Sequence, residues 1–382
     1  MNRFILLFTL LMSNSWSLNA QSGLTKAGAE KLAEAEIARQ KELQHTRAAA
    51  DWEKKEITIQ DKTMKFMYKI SGSMPPEGRS LYISMHGGGN GPAAMNDQQW
   101  SNQIKLYTPK EGVYVAPRAP TNTWNLWHED HIDDLMEQLI KDAIIMEGVN
   151  PNKVYIMGYS AGGDGTFQLA PRMADHWAAA AMMAGHPGDA SALSLKNLPF
   201  AIYMGGADAA YNRNQLAAVW GRKLDSLQAD APGHYIHDLH IYPGMPHWMG
   251  RKDTIAMPWM ASFIRNPLPK QVSWHQDDRL RSRFYWLGLP DEGRIAHAEV
   301  RASFSGNTIS IQENQHPVLY IYLNDHMMDL DRKIRVVYKG KVLFNSKIKR
   351  NVAIIKATAS RMDRDLVFSA GLSLIAEKVS SL

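Results

Sequence analysis

The chain has 382 residues, 45% of them hydrophobic and 21% charged, which is enough apolar material for a sizeable core in one large or two smaller domains. The net charge of +5 comes from Lys and Arg scattered among Asp and Glu, so no basic run marks a nucleic-acid footprint. The absence of cysteine excludes disulfides, thiol nucleophiles, lipidation at a cysteine and cysteine-based zinc sites.

The opening stretch MNRFILLFTLLMSNSWSLNA has a basic residue, an apolar run and a polar end at Ala20. It reads as a secretory signal peptide over residues 1–20, cleaved after Ala20. The apolar run is too short to span a bilayer, so no stable membrane anchor is expected. The expected destination is the periplasm or the exterior.

Residues 21–55 are rich in Ala, Glu, Lys and Gln and predict one or two exposed helices. EITIQDKTMKFMYKI alternates and predicts a hairpin turning at Asp61–Lys62. SLYISMHGGGNG and GVYVAPRAP are buried strands ending in loops, with a helix from Ala93 to about Thr108 between them. DDLMEQLIKDAIIMEG is an amphipathic helix that Asp133 or Asp134 can cap. KVYIMGYSAGGDG is a strand and tight turn running into a helix. WAAAAMMAG and FAIYMGGAD are strands, NQLAAVWGRKLDSL a helix, HDLHIYPGMPHW a strand and loop, and AMPWMASFIRN a closing helix. Strands alternating with helices imply a doubly wound, mainly parallel α/β sheet over residues 56–266. NPLPK marks a boundary. Beyond it, residues 271–382 read as successive strands with a hairpin turn at Lys339–Gly340, a small β-rich domain of sandwich type.

Gly158-Tyr159-Ser160-Ala161-Gly162 fits G-x-S-x-G between a buried strand and a helix. Small neighbours let the backbone turn sharply and expose the Ser160 hydroxyl at the end of the sheet. The helix N-terminus beneath it favours developing negative charge. A serine hydroxyl needs a base, and the base needs an orienting acid. Such groups gather at the carboxyl ends of the strands, where Asp208 follows one strand and His247 the next. His234, His237, His240 and Asp238 are rivals, but they lie before or within a strand. The MHGGGNG loop supplies backbone N–H groups for an oxyanion, from Gly88 or Gly89, to join the N–H of Ala161.

HGGGNG, GYSAGGDG, GGADAAYN and GMPHWM together resemble the α/β-hydrolases of the secreted bacterial esterase type, a group with polyhydroxybutyrate-depolymerase-like and feruloyl-esterase-like enzymes. The resemblance covers about residues 56–266. It implies Ser160 as nucleophile, Asp208 as the acid and His247 as the base, with no cofactor. The missing cysteines depart from many secreted polyester depolymerases and weaken a polymer assignment.

Around this centre, Trp124 and Trp127 either line a substrate pocket or pack the loop, and Tyr159 and His186, near strand ends, are read as pocket residues, His186 as a wall or capping group and not a metal ligand. Arg118 is read as structural. HEDH at 128–131 lacks the zinc-helix spacing and is not read as a metal site. In the tail, Trp274, Phe284, Tyr285 and Trp286 form either a carbohydrate platform or, as expected here, core and docking contacts. The reading is an exported serine hydrolase that cleaves a carboxylic ester through an acyl-enzyme. Its substrate is a small molecule or a polysaccharide-linked ester. The alternatives are a serine peptidase on the same fold and a non-catalytic glycan-binding protein that keeps it.

Overall fold

A computed structural model describes residues 23–382. The expected signal peptide lies outside the described residues. Helix α1 (Lys26–Lys54) is followed by β1 (Glu56–Ile59), β2 (Lys62–Ser71), β3 (Arg79–Met85), α2 (Ala93–Leu106), β4 (Gly112–Arg118) and α3 (His131–Glu147). Then come β5 (Val149–Tyr159), α4 (Ala161–Arg172), β6 (Ala179–Met183), β7 (Phe200–Gly205), α5 (Arg213–Asp230), β8 (His237–Tyr242) and α6 (Ala256–Ala261).

Strands β1 to β8 form one sheet in the order β1-β2-β4-β3-β5-β6-β7-β8. The β1–β2 and β2–β4 pairs are antiparallel, and every pair from β4 to β8 is parallel. A parallel sheet is covered on both faces, so its strands read as continuous apolar runs. All seven residues of β4 are buried accordingly. On one face, Tyr82, Tyr114 and Tyr155 pack against α2 and α6. On the other, Leu135 and Leu139 of α3, Phe167 of α4 and Trp220 of α5 join the main core.

The N-terminal segment is helical, as expected, but one face of it is buried. It is one 29-residue helix that packs on α3. Ala29, Ala33, Ala48 and Trp52 are buried, and the Trp52 indole donates to Glu147 (2.8 Å). Alanine gave no apolar stripe to read, yet small side chains are what allow close helix packing. The first hairpin turns on Gln60–Asp61, one residue earlier than expected, because Gln60 takes the left-handed conformation (φ +55°). Helix α3 starts at His131, which places Asp133 and Asp134 in its first turn instead of at the cap.

The β-rich part holds two five-stranded sheets. Its elements are β9 (Gln271–His275), β10 (Arg283–Phe284), β11 (Leu287–Gly288), β12 (Glu299–Ser305), β13 (Thr308–Asn314), β14 (Val318–Leu323), β15 (Ile334–Tyr338), β16 (Lys341–Ser346), α7 (Val352–Ala359), β17 (Ala370–Ile375) and β18 (Lys378–Ser381). One sheet runs β16-β15-β13-β12-β9 and the other β10-β11-β14-β17-β18. Alternate residues point inward, with Val300, Ala302, Phe304, Ile309 and Ile311 from the first sheet and Leu319, Ile321, Leu372 and Leu374 from the second. Helix α7 has no counterpart in the sequence reading. It begins at Asn351, whose side chain accepts the Ala353 N–H, and it packs against α1. Trp274, Phe284, Tyr285 and Trp286 are all buried, as core and docking groups.

Candidate active site

Three strand ends meet at the carboxyl edge of the sheet. Strand β5 ends at Tyr159 and α4 begins at Ala161, which leaves Ser160 alone at the corner with φ +58° and ψ −120°. That conformation is sparsely populated for a side-chain-bearing residue and persists only where the surroundings impose it. Here the Ser160 N–H donates to Met183 O (2.9 Å) and its carbonyl accepts the Asp164 N–H (2.9 Å). The bend brings backbones into contact. A Cβ on Gly158 would collide with the Gly162 carbonyl, and one on Gly162 with Met85 O.

Asp208 follows β7 and is buried. Its Oδ2 lies 2.6 Å from His247 Nδ1. His247 sits in the loop after β8, and its Nε2 lies 3.0 Å from Ser160 Oγ. A carboxylate accepts, so Nδ1 carries the proton and Nε2 is left to accept from the serine hydroxyl. The rival groups lie elsewhere. His240 pairs with Asp238 (2.9 Å) on β8, and His237 pairs with Asp225 (3.0 Å).

The glycine loop after β3 lies beside the serine. Gly89 does not offer a free donor, because its N–H already donates to Asn96 Oδ1 (2.7 Å). Asn96 is buried and in turn donates to Asn122 Oδ1 (2.9 Å), which also accepts from Arg118 (2.5 Å). Arg118 is thereby structural, with further bonds to Asp97 and to the carbonyls of Ala119 and Thr121. Gly88 keeps φ +111°, and a Cβ there would run into the Asn96 side chain. Gly88 N–H has no protein partner among the described residues. Ala161 N–H, at the first position of α4, has none within its helix.

Two clefts open on Ser160. One, of about 710 Å³, is lined by His247, Tyr159, Trp248, Met95, Leu106 and Arg251, with Gly87, Gly88 and Gly89 at its edge. The other, of about 470 Å³, is lined by Trp124, Ala161, Asp164, His186, Tyr211 and Arg213. Trp124 is 68% exposed, so of the two tryptophans it alone faces a cleft. Trp127 is fully buried under the glycine loop, its indole N–H donating to His86 O (2.8 Å). The pocket role allowed for Trp127 is therefore corrected to core packing. HEDH serves its own loop, where Glu129 accepts from the hydroxyls of Thr121 and Thr123.

Several residues beside the serine escaped the sequence reading. Asp164 accepts the His186 N–H (2.6 Å), and burial pushes its carboxyl up to about 6. Burial, with Arg213 nearby, lowers the His186 imidazole. Arg213 Nη1 stands 3.9 Å from Asp208 Oδ1, while its Nε is buried without a hydrogen-bond partner among the described residues. Tyr211 is 75% exposed with φ +56°, and its ring lies under the Arg213 guanidinium. The one available signal was position, since Tyr211 and Arg213 closely follow Asp208.

The model of the dienelactone hydrolase family matches residues 110–257, a span that includes Ser160, Asp208 and His247. No curated protein matches the sequence. Among solved structures, the chain is similar to a thermostable esterase at 16% identity and a TM-score of 0.43, over 55% of this chain and 62% of the other. The chain thus spans about three fifths of that esterase's length. Esterase 2 of Thermogutta terrifontis shares 16% identity (TM-score 0.37), over 54% of this chain and 89% of the other. The acetyl xylan esterase of Aspergillus awamori shares 12% (TM-score 0.36), over 52% and 93%. The mainly parallel sheet, with its strand-serine-helix corner, is an α/β-hydrolase fold.

Proposed function

We propose that the protein is an exported serine hydrolase that cleaves carboxylic esters through an acyl-enzyme. The observation that carries the reading is the unbroken hydrogen-bonded chain from Ser160 Oγ through the His247 imidazole to Asp208. In this reading His247 Nε2 takes the Ser160 proton as Oγ attacks the ester carbonyl. Asp208 holds the imidazole in the right tautomer and stabilises its charged form. The N–H groups of Ala161 and Gly88 receive the oxyanion, and the bond from Gly89 N–H to Asn96 supports the loop that carries Gly88. His247 then protonates the departing alkoxide, and water cleaves the acyl-enzyme by the reverse path. No cofactor takes part.

The same steps orient the substrate. The leaving oxygen must lie within reach of His247 Nε2, so the alcohol half occupies the cleft that His247 lines. The acyl half then lies along Trp124, His186 and Arg213. Export rests on residues 1–20 acting as the leader.

The test is nitrophenyl ester hydrolysis, together with labelling by a serine-directed phosphonate, for the mature protein and Ser160→Ala. Turnover and labelling that both vanish in the variant support the proposal. Inertness of the unaltered protein to both reagents would sink it.

A further inference from the structure

A second large cavity adjoins the cleft that takes the alcohol. It measures about 680 Å³ against about 710 Å³ for the first. Leu106 and Arg251 line both. Leu106 is the last residue of α2, so its carbonyl is one of those a helix leaves without an internal partner. Arg251, in the loop after His247, donates to it from Nη2 (2.7 Å). The helix end attracts a cation, and the arginine supplies one. The division between the two cavities at this point is thus a hydrogen bond from an exposed side chain to a helix end. At an exposed site such a bond is exchanged for bonds to water, so its net contribution is modest.

Beyond the division, the lining is mixed: Tyr82, Tyr107, Pro109, Met257, Pro258 and Ala261 offer a surface that an aliphatic chain can contact, and Ser80, Thr108, Lys110, Glu111 and Thr254 line the cavity with them. The Tyr107 hydroxyl is engaged by Asp253, and Tyr155, which stacks on Tyr82, donates its hydroxyl to Phe263 O, so these two phenols keep their polar ends turned to the protein. Lys153, at the rim, is paired with Glu77 (2.7 Å).

We infer that the second cavity is a subsite for the distal part of a long aliphatic alcohol, and that Arg251 is a movable partition which such a chain must displace. This rests on the ester-hydrolase reading and on its placement of the alcohol beside His247. Arg251 acts here as a specificity-determining residue.

The experiment measures kcat/KM for butyl, octyl and dodecyl acetate by acetate release, and for nitrophenyl esters from acetyl to octanoyl. Arg251→Ala should raise the dodecyl-to-butyl ratio about tenfold and leave the acyl-length profile where it was. Adding Ser262→Trp, a bulky group on the exposed lip of the second cavity, should return the ratio to that of the unaltered protein. An unchanged ratio in Arg251→Ala overturns the partition. A gain that survives Ser262→Trp overturns the subsite, and a shift in the acyl profile instead overturns the orientation. Butyl acetate separates the two levels of the argument. If the unaltered protein turns it over but the ratios do not move, only this inference fails. If it turns over no ester and takes no phosphonate label, the function itself fails.

Discussion

The Tyr159 hydroxyl donates to the carbonyl of His247 (2.7 Å) and accepts the N–H of Met249 (3.1 Å). The residue before the serine therefore fastens the loop that carries the imidazole. Burial pushes the phenol well above its ordinary range, so it stays a donor at any working pH. Tyr159→Phe leaves the Met249 N–H buried and unpaired, at a cost of about 1–3 kcal/mol. It also frees the imidazole to drift, and a misplacement of about 1 Å is worth up to about a hundredfold in rate. The expected outcome is a kcat lowered roughly 10–100-fold with KM little changed. An unchanged kcat beside a lowered melting temperature would make Tyr159 a packing residue only.

Asp208→Asn tests the orientation of the imidazole. The amide presents an N–H or an oxygen to Nδ1, and in the first case the ring adopts the tautomer that cannot accept from Ser160. A loss of about 10³–10⁴ in kcat is expected, with the fold retained. Circular dichroism and phosphonate labelling rates check it. A loss under tenfold would move the acid role elsewhere.

How much of this was legible beforehand depended on whether a residue's role was local. Ser160, Asp208 and His247 each follow a strand, and strand ends are what a parallel sheet brings together, so position in the chain marked them as groups that could meet. The β-rich tail was legible for a related reason, since alternation along Val300–Ile311 records one buried face. Three things were not local. Asn96 occupies the Gly89 N–H from a helix whose sequence carries no sign of it. Trp124 and Trp127 are three residues apart in one loop, and only the packing of Trp127 against Gly165 and His86 separates wall from core. Arg251 matters because α2 happens to end beside it.

The two tryptophans should separate experimentally. Trp127→Phe removes the donor to His86 O and leaves a void, so stability should fall by about 2–4 kcal/mol. Trp124→Ala strips an exposed ring from the cleft lined by Ala161 and His186 and should change stability by under about 0.5 kcal/mol. Its effect should appear in KM and in acyl preference. Urea unfolding and an ester series read the two quantities apart. Equal destabilisation by both variants would place Trp124 in the core as well.

His86 carries a pH prediction. Its Nδ1 lies 2.6 Å from Gly87 O and its Nε2 accepts the Ala119 N–H (3.2 Å), so the buried ring is neutral. Burial, helped by Arg118, lowers it from 6.5 to about 4. Between those values the unfolded chain binds the proton and the folded chain does not, so this residue makes stability fall as pH drops from 6.5 toward 4. One proton is worth at most about 1.4 kcal/mol per pH unit. His86→Gln should be less stable at neutral pH yet lose less on acidification, so the two curves converge. Parallel curves through that window would refute the assignment.

The β-rich part is held to the hydrolase fold by buried charge as well as by apolar contact. Arg361 bonds Asp175 Oδ2 (2.6 Å), Arg265 bonds Asp363 (2.5 Å), and the Tyr285 hydroxyl donates to Ala174 O (3.1 Å). Burial alone would raise the Asp175 carboxyl, but Arg361 and His176 hold it well below the usual range. Removing one partner of such a pair strands the other charge, at about 3–5 kcal/mol. Asp175→Ala should therefore lower stability by that amount. Because one apolar core runs through both parts, unfolding should remain a single cooperative transition in calorimetry. Two resolved transitions in the unaltered protein, or an Asp175→Ala variant of undiminished stability, would mean that the tail is carried as a separate module.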